Sequence, residues 1–237
     1  MIRSAALTSV RLALILVWLS LAARAQSRTD WWPQFYTYVG LTPTIQVSAQ
    51  ANGTVTSDTP NQQLILGPSI DFSLAPFLLP RLKTLDNARN NYLNFRLAYR
   101  YVATVGDRSS HSHRGIVELT PRFPLPAKLV LADRNQLVLV GDQKRVSWLY
   151  RNRVSLARSF QTGRLTFTPY VRGQVTYNSE PGAWVRYNCG VGSTFKVNTH
   201  LQLEPFYQHV GNIESTARPV NGLGLKVQLF FRNQTQP

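Results

Sequence analysis

Apolar and polar residues alternate strictly in this chain over segments of nine to thirteen residues, and that pattern limits its fold more than any other feature. Near the C-terminus Leu223, Leu225, Val227, Leu229 and Phe231 share one parity, while Gly224, Lys226 and Gln228 take the other. Leu93, Phe95, Leu97, Tyr99 and Tyr101 alternate with Asn94, Arg96, Ala98 and Arg100. The stretches around 150 and 170 repeat the pattern. A period of two marks strands with two unlike faces. Strands of soluble domains run to ~5–6 residues, whereas a tilted membrane strand needs ~9–11. Segment length therefore favours an antiparallel transmembrane β-barrel. A soluble periplasmic barrel, which shows the same alternation with its faces reversed, is the alternative.

The N-terminus agrees with export. Arg3 and Arg11 precede an apolar run, Leu12 to Leu21, which leads to Ala23-Arg24-Ala25. These are the three parts of a secretory signal peptide, expected to cover residues 1–25. The run is too short for an anchor, since crossing the hydrocarbon takes ~20 residues. The remaining domain, 26–237, has no stretch apolar enough for a membrane helix. It could therefore cross a bilayer only as a closed barrel, because lipid leaves no backbone group satisfied by solvent. Cys189 is the sole cysteine, which excludes an internal disulfide.

Ten strands are expected: 35–47, 63–77, 91–102, 113–123, 127–139, 145–157, 164–177, 183–196, 199–209 and 221–231. An even number suits a bacterial barrel with short periplasmic turns and longer outer loops. With both ends in the periplasm, the outer loops fall at 48–62, 103–112, 140–144, 178–182 and 210–220. The inner turns fall at 124–126, 158–163 and 197–198. The connection 78–90 is too long for this scheme and implies an excursion or a shifted register, so eight or twelve strands stay open.

The polar parity carries the charge. Removing the three signal-segment arginines leaves 23 cations against 11 acids, or +12, and 21 of the 26 cations in the whole chain are Arg. Export argues against nucleic acid as the partner. The candidate lumen-lining residues are Arg96, Arg100, Arg114, Arg122, Arg134, Arg151, Arg153, Arg164, Arg172, Arg186 and Lys226. Each would cost ~2–4 kcal/mol facing lipid at mid-depth, and several together would exceed the ~5–15 kcal/mol stability of a typical protein. They are expected to point inward or sit at the rims. Such an interior either packs structurally against Tyr, Asn, Gln and the few acids, or forms a narrow channel favouring small anions. Rim residues such as Arg108 and Arg218 could engage phosphate-bearing outer-membrane lipids. Trp31, Trp32, Trp148, Trp184, Tyr99, Tyr101, Tyr177, Tyr187 and Tyr207 are candidates for interfacial girdles.

Catalysis has little support in the sequence, and no cofactor or metal site is expected. Ser110, His111 and His113 fall in an expected outer loop, but a Ser/His pair needs a third group and strict geometry. Two histidines without a nearby carboxylate make a weak metal site.

The segments NFRLAYRY (94–101), LADRNQLVL (131–139), WLYRNRVSLARSF (148–160), LTFTPYVRGQVTY (165–177), LQLEPFYQH (201–209) and LGLKVQLFF (223–231) resemble a bacterial family catalogued as domain of unknown function 2490. The paired D-R-N and Y-R-N-R pieces are the most specific. The resemblance implies an outer-membrane barrel that meets the barrel-assembly machinery during biogenesis, and it carries no activity. Barrels of this kind commonly end on an aromatic residue, whereas here Phe231 is followed by Arg-Asn-Gln-Thr-Gln-Pro. The functional expectation is an outer-membrane barrel with an Arg-rich interior and a structural or binding role.

Overall fold

In the computed structural model the described residues are 28–56, 62–74, 82, 84–106, 109–141, 146–163, 165–213 and 219–232. The expected signal segment, Arg108, Arg164 and Arg218 lie outside them. The strands are β1 (Arg28–Gly40), β2 (Ile45–Thr54), β3 (Gln62–Ser73), β4 (Leu93–Val105), β5 (Ser110–Pro124), β6 (Val130–Gly141), β7 (Val146–Ala157), β8 (Phe160–Thr162), β9 (Leu165–Asn178), β10 (Ala183–Lys196), β11 (Leu201–Asn212) and β12 (Val220–Arg232). One short helix, α1 (Asn87–Asn90), lies between β3 and β4.

Each strand pairs with its neighbour, and β1 pairs with β12, so the sheet closes on itself. Closure removes every free edge, which a single sheet in lipid requires. Eleven strands form the ring. The twelfth, β8, pairs only with β9 and keeps the β7–β9 register beyond a break at Arg158 and Ser159. It is the tip of β7 extended past the wall, turning at Gly163, where φ of 58° suits glycine.

The strand number differs from ten because the expected strand 35–47 is two strands. Gly40 and Ile45 flank a four-residue turn in which the Leu41 and Thr42 amides donate to the Ile45 carbonyl. The Thr42 hydroxyl there accepts from the Thr44 and Ile45 amides. A four-residue turn preserves parity: Phe35 and Val39 before it and Ile45 and Val47 after it all alternate in one phase. The periodicity therefore runs through the hairpin without a visible break.

An odd ring has a further consequence. β1 and β12 run parallel, from Arg28↔Val220 to Gly40↔Arg232, the one parallel pairing among the described residues. The two ends of the barrel strands thus lie at opposite mouths, which corrects the expectation that both share one side. The mouth holding the C-terminal end of β12, the turn end, also holds the described residues 41–44, 74, 82, 84–92, 125–129 and 197–200. The loop end holds the described residues 55–56, 106, 109, 179–182, 213 and 219. Strands reach further into the expected outer loops than predicted; β5 begins at Ser110, so His111 and His113 sit on a strand.

The described residues of the long connection turn inward. Leu82, Thr84, Leu85, Asp86 and Ala88 are all buried, which replaces the expected periplasmic excursion with a plug inside the turn end. Leu85 docks on Tyr38 and Phe230, whose rings stack at 4.7 Å and 6°. Leu82 packs with Val130, Tyr92 and Ala157. Asp86 caps α1 by accepting from the Ala88 amide at 3.0 Å. These two apolar contacts form a small core, each leucine contributing ~1.5–3 kcal/mol by burial.

Candidate functional site

Apart from that core the barrel is inside-out. Among the described residues 21 polar or charged side chains are buried against nine hydrophobic ones, and thirty large hydrophobics are exposed. The outward parity carries Leu97, Val117, Leu139, Val171, Val191 and Leu223, while the inward parity encloses a cavity of about 930 Å³. Arg96, Arg100, Arg114, Arg122, Arg134, Arg151, Arg153, Arg172, Arg186 and Lys226 line it, together with Arg89 of α1.

Three buried carboxylates organise the cations toward the turn end. Glu204, 1% exposed, accepts from Lys226 Nζ at 3.0 Å, Arg89 Nη2 at 2.9 Å, Tyr170 at 2.8 Å and Gln228 at 3.1 Å. Asp71 takes a two-pronged contact from Arg96, at 2.7 and 3.1 Å, and a bond from Asn94 at 2.9 Å. Glu118 lies 3.4 Å from Arg134 and accepts from Gln136 at 2.9 Å. A buried charge is tolerated only when paired and hydrogen-bonded, and each of these is.

Other arginines serve as backbone staples. Strand β3 contains Gly67-Pro68, where the β3–β4 pairing skips two residues between Leu66↔Tyr101 and Ser69↔Ala98. Pro68 has no amide to donate. A Cβ on Gly67 would lie 2.0 Å from the Tyr99 carbonyl oxygen, so only glycine fits. Arg100 closes the gap by donating Nη1 to the carbonyls of Pro68 and Tyr99 at 2.9 and 2.8 Å. Arg122 likewise donates to the carbonyls of Asn91 and Thr120, tying β5 to the base of the plug. Arg153 and Arg172 donate to Gln174 and Gln208, and Arg172 lies over the rings of Tyr170 and Phe206.

The loop end is different. Arg151 has one long contact, 3.4 Å to Gln136. Among the described residues the side chains of Arg114 and Arg186 make no hydrogen bond or ion pair, and Arg114 Nε is buried without a partner.

The wall's outer surface carries two kinds of aromatic belt. Trp148, Tyr177 and Trp184 pack together near the loop end, as do Tyr99 with His113 and Tyr101 with His111. Phe72 with Phe95, and Phe160 with Phe167 and Phe195, form the belt nearer the turn end. Trp32 departs from the girdle expectation and lines the cavity. His111 and His113 belong to this outward belt rather than to a cleft. Among the described residues no group of three or more His, Cys, Asp or Glu could hold a metal ion.

The D-R-N and Y-R-N-R segments pair across β6 and β7, as Arg134↔Arg153, Asn135↔Asn152 and Gln136↔Arg151. Their inward members are the lumen arginines. Their outward members form a separate network, with Asn152 donating to Asp133 at 2.7 Å and Asn135 donating to Asp133 at 3.2 Å. Asp133 therefore faces outward with them.

Arg89, Asp71 and Asp86 are the site residues that sequence reasoning missed. Arg89 and Asp86 sit in the connection that alternation could not place, and Asp71 lay in an expected strand, one parity step from Ile70 and Phe72.

These features define a class: a closed β-barrel with an apolar exterior, a basic lumen and a plug at one mouth. No protein-family model and no curated protein matches the chain. Among solved structures it is similar to LpxR from Salmonella typhimurium, with a TM-score of 0.49 at 12% identity, covering 78% of this chain and 83% of that one. It is also similar to the β domain of the Bordetella autotransporter BrkA, with a TM-score of 0.44 at 13% identity, covering 76% and 77%.

Proposed function

We propose that the protein resides in the outer membrane as a plugged barrel with a binding or structural role rather than an enzymatic one. The observation that carries this is the inverted burial: thirty exposed large hydrophobics surround a lumen of buried charge. A water-soluble barrel would place its apolar parity inside. The Trp and Tyr belt near the loop end supports the same reading, because Tyr and Trp favour the membrane interface. Membership in the family catalogued as domain of unknown function 2490 is part of the proposal, supported by the side-by-side placement of its two most specific segments. Outer-membrane lipids are then the surrounding partners, and the barrel-assembly machinery acts in biogenesis.

Membrane fractionation and a gel-mobility comparison test residence. The expected protein pellets with outer membranes and changes mobility on boiling; a soluble, mobility-invariant protein overturns the proposal. Lipids brominated on their chains should quench Trp148 and Trp184 and spare the inward Trp32.

A narrow anion channel is the second reading, favoured by the basic lumen. The plug weighs against it, since Leu82 and Leu85 pack into the turn end with apolar contacts. Planar-bilayer recording separates the two: the plugged barrel gives no steady conductance, and an anion-selective current would establish the channel.

A further inference from the structure

Arg151 on β7 and Arg186 on β10 share one cross-strand row, each paired with Thr176 of the intervening β9. Both point into the cavity, as does the buried Thr176. Arg114 enters from β5, across the wall. The charges of Arg114 and Arg186 both bear on Arg151, and that of Arg186 on Arg114, so the three guanidinium groups stand within one another's field. No carboxylate among the described residues forms an ion pair with any of them. Among the described residues two acids stand nearest this end: Asp30 lines the lumen on β1, and Glu180 is exposed on the β9–β10 turn. The three carboxylates that neutralise the deeper cations are engaged by Arg89, Arg96, Arg134 and Lys226.

Three mutually repelling guanidiniums in a partly enclosed pocket cost free energy in the empty barrel, and an anion relieves it. We propose that Arg114, Arg151 and Arg186 form a binding site for a phosphate monoester dianion at the loop end of the lumen. Guanidinium forks match phosphate oxygens in geometry as well as charge, and the Thr176 hydroxyl between two of them can donate to a third oxygen. A dianion offsets more of the tripled charge than chloride or a single carboxylate does. The plug makes the place a pocket: Leu82 and Leu85 occupy the far end of the lumen, opposite the loop end. This role goes beyond residence in the outer membrane and does not depend on it, because the site is internal to the closed barrel.

The test uses the full chain folded in neutral detergent micelles, with calorimetric titration of two probes. Glycerol phosphate represents a free phosphate monoester, and dihexanoyl phosphatidic acid a lipid headgroup. Saturable binding of either supports the site, and the preferred probe identifies the source. Arg114→Gln and Arg151→Gln are each expected to weaken binding about tenfold, the loss of one charge-assisted contact. The triple variant with Arg186→Gln should show no saturation, while Lys128→Gln at the turn end leaves affinity unchanged. Should the triple variant lose its heat-dependent mobility, Arg186→Gln alone decides, since that side chain is exposed at the mouth. Failure of both probes to saturate, binding unchanged in all three single variants, or displacement by chloride at concentrations equal to the probe overturns the proposal. Fractionation tests membrane residence separately, so the two can fail independently.

Discussion

The two ends of the lumen are built from the same residue types and solve opposite problems. Toward the turn end Glu204, Asp71 and Glu118 each gather cations, and Leu82 and Leu85 complete a small apolar core over them. Toward the loop end Arg114, Arg151 and Arg186 stand without such partners among the described residues. Burial requires the pairing at one end, whereas at the other Arg114 and Arg151 are only half-buried, Arg186 is exposed, and the pairing is absent. Arginine content alone therefore says little about the role of such a barrel. The position of the carboxylates separates cations that hold the fold from cations left free to bind.

The sharpest way to break this contrast is to remove the central acid. Glu204→Ala leaves Lys226 beside no counter-charge, leaves Arg89 only its 3.6 Å contact with Asp86, and frees the Tyr170 and Gln228 donors. Stripping one partner from a buried pair costs ~3–5 kcal/mol. A urea titration in micelles should show that loss as a lowered unfolding midpoint, and an unchanged midpoint would mean the network is solvated.

Leu85→Ala attacks the core above the acids. Truncating a buried leucine costs ~2–5 kcal/mol through lost transfer energy and the cavity left behind. Because Leu85 holds the plug on Tyr38 and Phe230, intermittent current steps in a planar bilayer are expected alongside the destabilisation. A silent bilayer with normal stability would show that the plug is held elsewhere.

Arg100→Gln probes a cation that pairs with backbone rather than acid. Its two carbonyl contacts repair the gap that Gly67 and Pro68 leave in the β3–β4 ladder. Leaving buried carbonyls unsatisfied costs ~1–3 kcal/mol, readable as faster hydrogen exchange in β4.

The barrel itself was legible in the sequence because parity is a local property. Leu93 to Tyr101 announce a two-faced strand without reference to any neighbour. The hairpin at 41–44 was not legible, since its turn length preserves parity, and the eleven-strand count with its parallel seam follows from that one turn. Nor was the plug: Arg89 belongs to no periodic segment, and its partners Glu204 and Thr194 lie more than a hundred residues away in sequence. The polar side of each strand gave the cations but not their pairing. Pairing depends on which strands face across the lumen, as with Arg114 of β5 and Arg186 of β10.

The smallest expected effect sharpens the contrast most. Arg186→Gln removes a charge that contributes repulsion and no pair, so the unfolding midpoint should stay level or rise slightly, within the ~0.5 kcal/mol typical of surface substitutions. The same substitution is the one that should reduce phosphate affinity. A residue that stabilises nothing and binds is the signature of the loop end, and Glu204, which stabilises strongly and has its oxygens filled by the protein, is that of the turn end. If Arg186→Gln instead lowers the midpoint as Arg100→Gln does, the loop-end arginines are structural too and the division of the lumen collapses.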